Sequence, residues 1–210
     1  MGKKVLAHAI KMNDEGHFYP LWGTCLGFQR LTAFTADMGD KAIDAIKALH
    51  ISLPLTFTAD PPSTRMYEGL GMSAWEFQNN SFTYNAHNYG VHPETFEKDA
   101  GLKNFWDVTS ISFTPDAAKT PFVASIEAKK YPFFATQYHP EKPSQLWVDG
   151  YNIDHSWESI QLQAHFSSLF VQMARANTNS FGNFAQTQKF EISQYSVLQT
   201  PDMADIYVFN

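Results

Sequence analysis

A single cysteine, Cys25, stands between two glycines in the stretch WGTCLGF at residues 22–28. An apolar run precedes the cysteine and apolar residues at helical spacing follow it, which predicts a strand, a tight turn and a helix in that order. A side chain at Gly23 or Gly27 is expected to clash in so tight a bend. The pattern therefore places the thiol at the turn between a strand and a helix.

A cysteine at such a turn is suited to nucleophilic catalysis. The turn pushes the sulfur away from the backbone, and the partial positive charge of a helix N-terminus favours the thiolate form of a cysteine. The amide of Leu26 then faces the position where the oxyanion of a tetrahedral intermediate would form. The alternative interpretation is a buried cysteine that packs as a small apolar side chain. The turn alone does not decide between the two.

A nucleophilic cysteine needs a base, and the sequence His139-Pro140-Glu141 at the end of an extended run offers one. Residues two apart on an extended chain point the same way, so the carboxylate of Glu141 can lie beside the imidazole of His139. There it would fix the tautomer of the ring and stabilise its charged form, as the third member of a triad does. The alternative is a surface His–Glu pair without a role.

Composition and charge argue against several other classes of protein. The formal net charge is −6 and there is no run of basic residues, so binding of nucleic acid through its phosphates is not expected. No apolar stretch is long enough to cross a bilayer. One cysteine cannot form an internal disulfide. We expect no metal site at His87 and His92, because no further cluster of potential ligands accompanies them.

The remaining pattern predicts one α/β domain over residues 1–210. Residues 40–50 are predicted to extend a helical region. Short extended runs dominate residues 80–138, and residues 114–121 separate two of these runs like a hairpin loop. The clearest helix follows Ser156, which is a good N-cap residue.

The motif GTCLGFQ, followed much later by YHPE, resembles the class I glutamine amidotransferase-like superfamily. More narrowly, YPLWGTCLGF, YHPEKP and the helix that follows are similar to the γ-glutamyl hydrolases, which remove poly-γ-glutamate chains from folates. The resemblance runs from about residue 5 to the C-terminus. It implies a flavodoxin-like, three-layer αβα fold around a mostly parallel central sheet.

The resemblance also implies a role for each residue singled out above. Cys25 is the nucleophile, His139 the general base and acid, and Glu141 the residue that orients the histidine. His87, in TYNAHNYGV, matches a histidine of the family that contacts the substrate, and its alternative is a loop histidine with satisfied hydrogen bonds. The mechanism implied by the family requires neither a metal nor an organic cofactor.

Two features depart from the family pattern. Hydrolases of the family carry glutamate at the position of Gln29, whereas glutamine there is typical of glutamine-using amidotransferases, in which it contacts the glutamyl group. We expect Gln29 to contact that group in this chain. The family also has an N-terminal segment that supplies the first strands of the sheet and a second oxyanion-hole amide. For this chain we expect a sheet without those strands, whose open edge is covered in a homodimer or by a partner chain.

The sequence therefore predicts a thiol peptidase that hydrolyses γ-glutamyl amides, with folyl-poly-γ-glutamate or another γ-glutamyl compound as its substrate. One alternative is a glutaminase domain that supplies ammonia to a synthetase, which Gln29 favours. A second is a truncated family member that serves as a structural or assembly subunit with little activity. The compartment stays open, because the family is lysosomal, vacuolar or secreted whereas this chain opens on an amphipathic helix instead of a signal peptide.

Overall fold

The computed structural model describes residues 1–199 and 205–209. The chain divides into two compact units, Met1–Asn177 and Thr178–Asn210. Every residue singled out for chemistry lies in the first unit.

The helices of the first unit lie mostly on the two faces of a central sheet. The longest of them, α7, begins as predicted, because the side chain of Ser156 accepts the N–H of Ser159 at 3.2 Å. The α-helices of this unit are α1 (Gly2–Asp14), α2 (Leu26–Thr35), α3 (Glu76–Asn79), α4 (Pro93–Lys98), α5 (Ala100–Phe105), α6 (Lys142–Gln145) and α7 (Trp157–Arg175). Short 3-10 helices span Gly39–Ala42, Pro61–Ser63 and Glu68–Trp75.

The strands of the first unit form a five-stranded sheet and a separate pair. The strands are β1 (Leu21–Thr24), β2 (Asp44–Leu53), β3 (Thr56–Phe57), β4 (Thr83–Gly90), β5 (Trp106–Phe113), β6 (Pro121–Ala128) and β7 (Phe133–Thr136). The larger sheet has the order β1-β7-β6-β5-β3, and the pair is β2-β4.

The five-stranded sheet is mixed rather than mostly parallel. Only β1 and β7 pair in parallel, whereas β6–β7, β5–β6 and β3–β5 are antiparallel among the described residues. The loops before β6 and β7 explain the difference, since a short loop joins antiparallel neighbours and a parallel pair needs a long crossover. The predicted hairpin loop at residues 114–121 is one of them. The α/β class is confirmed, and the one parallel pair contains the strand that leads to Cys25.

The sequence led us to expect a helical region over residues 40–50, but only the 3-10 turn that ends at Ala42 is helical. Most of them belong to β2, which pairs antiparallel with β4 and is interrupted by register shifts between Ala45 and Ala48 and between Leu49 and Ile51. Alanine, lysine and leucine in this stretch favour a helix locally. Pairing with β4 and burial of alternate side chains override that preference.

Two hydrophobic clusters cover the two faces of the sheet, which gives the predicted three layers. Successive residues of β7 enter opposite clusters, since Phe133 and Ala135 belong to one cluster and Phe134 to the other. Phe28 of α2 packs in the first of these clusters and Phe166 of α7 in the second. The core therefore fixes the carboxyl ends of β1 and β7 between two helical layers.

The second unit contains one short helix, α8 (Phe184–Gln188), a 3-10 turn (Ile192–Gln194) and an antiparallel hairpin. The hairpin strands are β8 (Ser196–Gln199) and β9 (Asp205–Val208). Throughout the described residues of the chain, no helix is both long and apolar enough to cross a membrane.

Candidate active site

Cys25 forms the turn between β1 and α2. Its backbone has φ 51° and ψ −102°, a conformation that residues other than glycine rarely adopt. The N–H of Cys25 donates to the carbonyl of Thr136 at the end of β7 (2.8 Å), and its carbonyl accepts from the N–H of Gln29 (3.0 Å). The strand, tight turn and helix predicted from the sequence are all present. The thiol therefore lies at the carboxyl ends of the two parallel strands.

The two glycines that flank the cysteine play different parts. A Cβ atom on Gly23 would lie 2.8 Å from the carbonyl carbon of Gly27 and 2.8 Å from Cδ1 of Leu31, so β1 and α2 approach too closely for a side chain there. A Cβ on Gly27 meets no other atom within 4 Å. The predicted clash is thus confirmed at Gly23. The prediction is wrong for Gly27, where a side chain would have open space.

His139 and Glu141 lie together beside the cysteine. The Nδ1 atom of His139 is 2.8 Å from Oε1 of Glu141, so the predicted contact is present. The extended chain expected there is wrong, because Pro140 and Glu141 form a turn that leads into α6. The side chain of Cys25 lies near enough to the same imidazole to raise its pKa. Its position is fixed by the backbone, because the N–H of His139 donates to the carbonyl of Tyr84 on β4 (2.8 Å).

The electrostatics of this group favour a charged imidazole. Burial lowers the pKa of His139, but hydrogen bonds to Cys25 and Glu141, together with their charges, outweigh burial and raise that pKa to about 9. Burial likewise raises the pKa of Glu141, and the stronger combined effect of the hydrogen bond to His139 and its charge lowers it below the usual range. At neutral pH the pair is therefore an imidazolium and a carboxylate.

Gln137 belongs to the site, although the sequence analysis did not single it out. Its Nε2 atom lies 3.7 Å from the sulfur of Cys25, and the residue is fully buried. Its position two residues before His139, on the strand side of the same motif, was the available signal. Leu26 is the first residue of α2, with its amide in the first turn and an exposed side chain.

Gln29 is buried and its amide nitrogen has two partners. Nε2 donates to the carbonyl of Tyr89 (2.7 Å) and to Oε1 of Gln137 (3.3 Å). Both N–H bonds of the amide are thus used within the protein. The side chain of Gln29 forms no described hydrogen bond with Cys25. It is linked to the reacting sulfur through Gln137.

His87 is also buried, on β4 beneath the site. Its Nδ1 lies 3.1 Å from the carbonyl of Ile46 and its Nε2 lies 3.2 Å from Oδ1 of Asn85. Burial lowers the pKa of His87 to about 4, the hydrogen bond to Ile46 opposes this, and the charge of nearby His139 adds to it. At neutral pH the His87 ring is therefore uncharged and has one N–H to donate. The described residues contain no group of three or more potential metal ligands placed to hold an ion.

Together these residues provide what acyl transfer through a thiol requires. A sulfur at a strained turn lies next to an imidazolium that a carboxylate orients. A helix N-terminus lies beside the sulfur, so the amide of Leu26 can face a developing oxyanion. Such a site belongs to the cysteine-nucleophile hydrolases and amidotransferases.

Comparison with known proteins gives the family. The glutamine amidotransferase class-I family matches residues 4–147, more than half of the chain, and the chain belongs to that family. Among its relatives are proteins named gamma-glutamyl hydrolase from rat (27% identical, covering 100% of this chain and 66% of the relative) and from human (27%, 96% and 63%). Gamma-glutamyl hydrolase B of Dictyostelium discoideum is 28% identical, covering 97% of this chain and 59% of its own length.

The resemblance predicted from the two motifs is thus confirmed. The chain matches these relatives over nearly its whole length, yet it spans less than two thirds of theirs, between 59% and 66%.

Proposed function

We propose that this chain is a cysteine-dependent hydrolase of γ-glutamyl amide bonds, such as those of folyl-poly-γ-glutamates. One observation carries the proposal: Cys25 lies at the strand-to-helix turn beside His139, whose Nδ1 atom lies 2.8 Å from Oε1 of Glu141. The names of the relatives support a γ-glutamyl group as the part of the substrate that is recognised.

In the first half of the reaction the sulfur of Cys25 attacks the γ-carbonyl carbon of the glutamyl amide. The amide of Leu26 donates to the oxyanion that forms. His139 is charged at neutral pH, since its pKa is about 9, and it gives its proton to the leaving nitrogen as the C–N bond breaks. The products of this half are a thioester on Cys25 and a free amine.

In the second half the neutral imidazole of His139 accepts a proton from water, which attacks the thioester carbonyl. The C–S bond breaks, the acyl group leaves as a γ-carboxylic acid, and the thiolate and imidazolium are restored. Glu141 holds the ring in the required orientation through both halves and stabilises its charged form.

We assign positioning roles to two buried residues. Gln29 holds Gln137 in place beside the sulfur through the 3.3 Å hydrogen bond between their side chains. His87 lies close enough to His139 for their charges to repel, and a neutral ring there leaves His139 as the charged group of the site. A contact of either residue with the substrate's glutamyl group remains part of the proposal.

The direct test is release of glutamate from folyl-tri-γ-glutamate, followed by mass spectrometry. Release is expected from the wild type and not from Cys25→Ser, and Glu94→Gln on an exposed helix serves as a surface control. Because Cys25 is the only cysteine, a single alkylation should abolish release, and quenched reactions should carry one acyl group on the protein. A folded wild-type sample that forms neither product nor acyl-enzyme would contradict the proposal.

The same experiment separates the two alternatives. Glutamine at position 29 favours a glutaminase, which predicts faster ammonia release from L-glutamine than glutamate release from the folyl substrate. A structural subunit predicts neither product. If ammonia release exceeds glutamate release, the chain is a glutaminase and the proposed hydrolase function is wrong.

We further propose that another strand covers the free edge of β1, supplied by a second copy or by a partner chain. In the described residues β1 pairs only with β7, which leaves one edge open. A groove of about 530 Å³ is lined by Trp22 and Thr24 of β1 and by residues of α6 and α7, among them Phe170. Light scattering tests the second copy. A wild-type dimer that is lost in Trp22→Arg supports a homodimer, whereas a wild-type monomer at every concentration contradicts a homodimer.

A further inference from the structure

A row of aromatic rings leads away from His139 to the protein surface. The ring of Tyr84 lies 6.4 Å from that of His139, and the ring of Tyr151 lies 6.3 Å from Tyr84, tilted by 22°. His50 stacks on Tyr151 with ring centres 4.0 Å apart and an angle of 17°. Tyr84 is buried, whereas His50 and Tyr151 are exposed. The row therefore joins the reaction centre to an aromatic surface.

The backbone holds this surface rigidly. Tyr151 lies in the segment between α6 and α7. Its neighbour Asn152 forms two backbone hydrogen bonds with β2. The N–H of Asn152 donates to the carbonyl of His50 (3.0 Å), and its carbonyl accepts from the N–H of Ser52 (2.8 Å). Tyr151 is thus fixed in position rather than carried on a free loop.

The backbone of His50 is in an unfavourable conformation that its ring explains. With φ 55° it lies in the left-handed region, at one of the two register shifts of β2. Glycine would adopt this conformation at less cost. The imidazole, however, stacks on Tyr151 and places Nδ1 3.1 Å from the hydroxyl of Tyr84. Strain maintained by such contacts is typical of functional positions.

We propose that His50 and Tyr151, here called the aromatic platform, bind a planar aromatic group on the acyl side of the substrate. This inference rests on the proposed function, in which the leaving group is glutamate or an oligoglutamate without a ring. The ring centre of Tyr151 lies no farther from that of His139 than the two spacings of 6.4 Å and 6.3 Å added together. An aroyl group on the α-nitrogen of the γ-glutamyl unit lies roughly 7–10 Å from the scissile bond, the span of two to three residues.

Two matched substrates test the platform. N-benzoyl-γ-glutamylglutamate and N-acetyl-γ-glutamylglutamate differ only by the ring, and both release glutamate on cleavage. Since an aromatic pair favours association by a modest amount, kcat/KM of the wild type should be roughly two- to tenfold higher for the benzoyl substrate. Equal kcat/KM for the two substrates would overturn the inference.

Variants locate the effect on one residue. Tyr151→Leu should abolish the preference for the ring, whereas Tyr151→Phe should retain it. Trp147→Leu is the matched control, because Trp147 is exposed in the same segment but stacks on His155 instead. If Tyr151→Leu lowers kcat/KM equally for both substrates, the residue is structural and the platform is refuted.

A binding measurement separates failure of the platform from failure of the proposed function. In Cys25→Ser, calorimetry with N-benzoylglutamate and N-acetylglutamate should give tighter binding of the benzoyl compound, and adding Tyr151→Leu should remove the difference. Selective binding without any turnover by the wild type would retain the platform and reject the proposed hydrolase. Turnover by the wild type, with no preference for the benzoyl compound in kinetics or calorimetry, would retain the proposed hydrolase and reject the platform.

Discussion

Gln29 on α2 donates a hydrogen bond of 3.3 Å to Gln137 after β7, and Gln137 in turn presents its Nε2 at 3.7 Å from the sulfur of Cys25. The second N–H of Gln29 donates to the carbonyl of Tyr89 (2.7 Å). One buried amide thus joins the helix that follows the cysteine to the strand end that precedes the histidine. The geometry of the proposed nucleophile depends on both elements.

Replacing Gln29 by leucine should destabilise the protein and loosen Gln137. Oε1 of Gln137 would lose its donor in a buried environment and the carbonyl of Tyr89 in a partly buried one, which costs on the order of 1–3 kcal/mol. The free energy of unfolding in urea measures the loss, and Gln172→Leu on the exposed face of α7 should change it little. A loss no larger than that of the control would show that these hydrogen bonds do not matter.

Glu141→Gln should lower activity and shift its pH dependence. Without the carboxylate the imidazolium loses a stabilising partner, so kcat/KM for glutamate release should fall by roughly 10²- to 10⁴-fold. In the wild type, activity should decline as pH rises through about 9, where His139 loses its proton. The decline should begin at lower pH in the variant, because the hydrogen bond to Glu141 is one cause of the raised pKa.

A pH–rate profile of the two proteins on folyl-tri-γ-glutamate measures both effects. Glu94→Gln, at an exposed ion pair with Lys98, should retain the wild-type profile. If the alkaline limb of Glu141→Gln coincides with that of the wild type, Glu141 does not set the protonation of His139.

His87 should make the protein less stable in acid. Its pKa is about 4 in the folded state against about 6.5 when exposed, because burial disfavours the charged ring. The unfolded chain therefore binds the proton first, so stability is complete above about pH 6.5 and falls as pH decreases through 4. The full effect is about 3 kcal/mol. Urea unfolding of His87→Gln between pH 4 and 7 should have a shallower pH dependence than the wild type, and parallel curves would exclude this role.

Gly23→Ala and Gly27→Ala form a matched pair for the turn. The new methyl group at position 23 would meet backbone atoms of Gly27 at 2.8–2.9 Å, and such overpacking costs roughly 1–3 kcal/mol. At position 27, in the first turn of α2, it meets nothing within 4 Å, and alanine favours the helical backbone more than glycine does, so this variant should be at least as stable as the wild type. All five tryptophans lie in the first unit, so their fluorescence during denaturation reports its stability. Equal stabilities of the two variants would contradict the close approach of β1 and α2.

Local sequence determined the parts of the molecule that short-range geometry controls. The turn at Cys25, the pairing of His139 with Glu141, the hairpin loop between β5 and β6 and the N-cap at Ser156 were all predictable. Each of these features involves residues within a few positions of one another. Backbone sterics and local hydrogen bonds therefore fix them almost independently of the rest of the chain.

Only the tertiary structure decided the rest, because it depends on residues far apart in the sequence. The segment 44–53 becomes a strand since β4 supplies hydrogen bonds and a buried face, which outweigh the helical preference of its residues. The hydrogen bond of Gln29 to Gln137 and the stacking of His50 on Tyr151 span about a hundred residues each, so no local pattern contains them. The sequence determined which groups could carry out chemistry, and long-range packing decided their partners and burial.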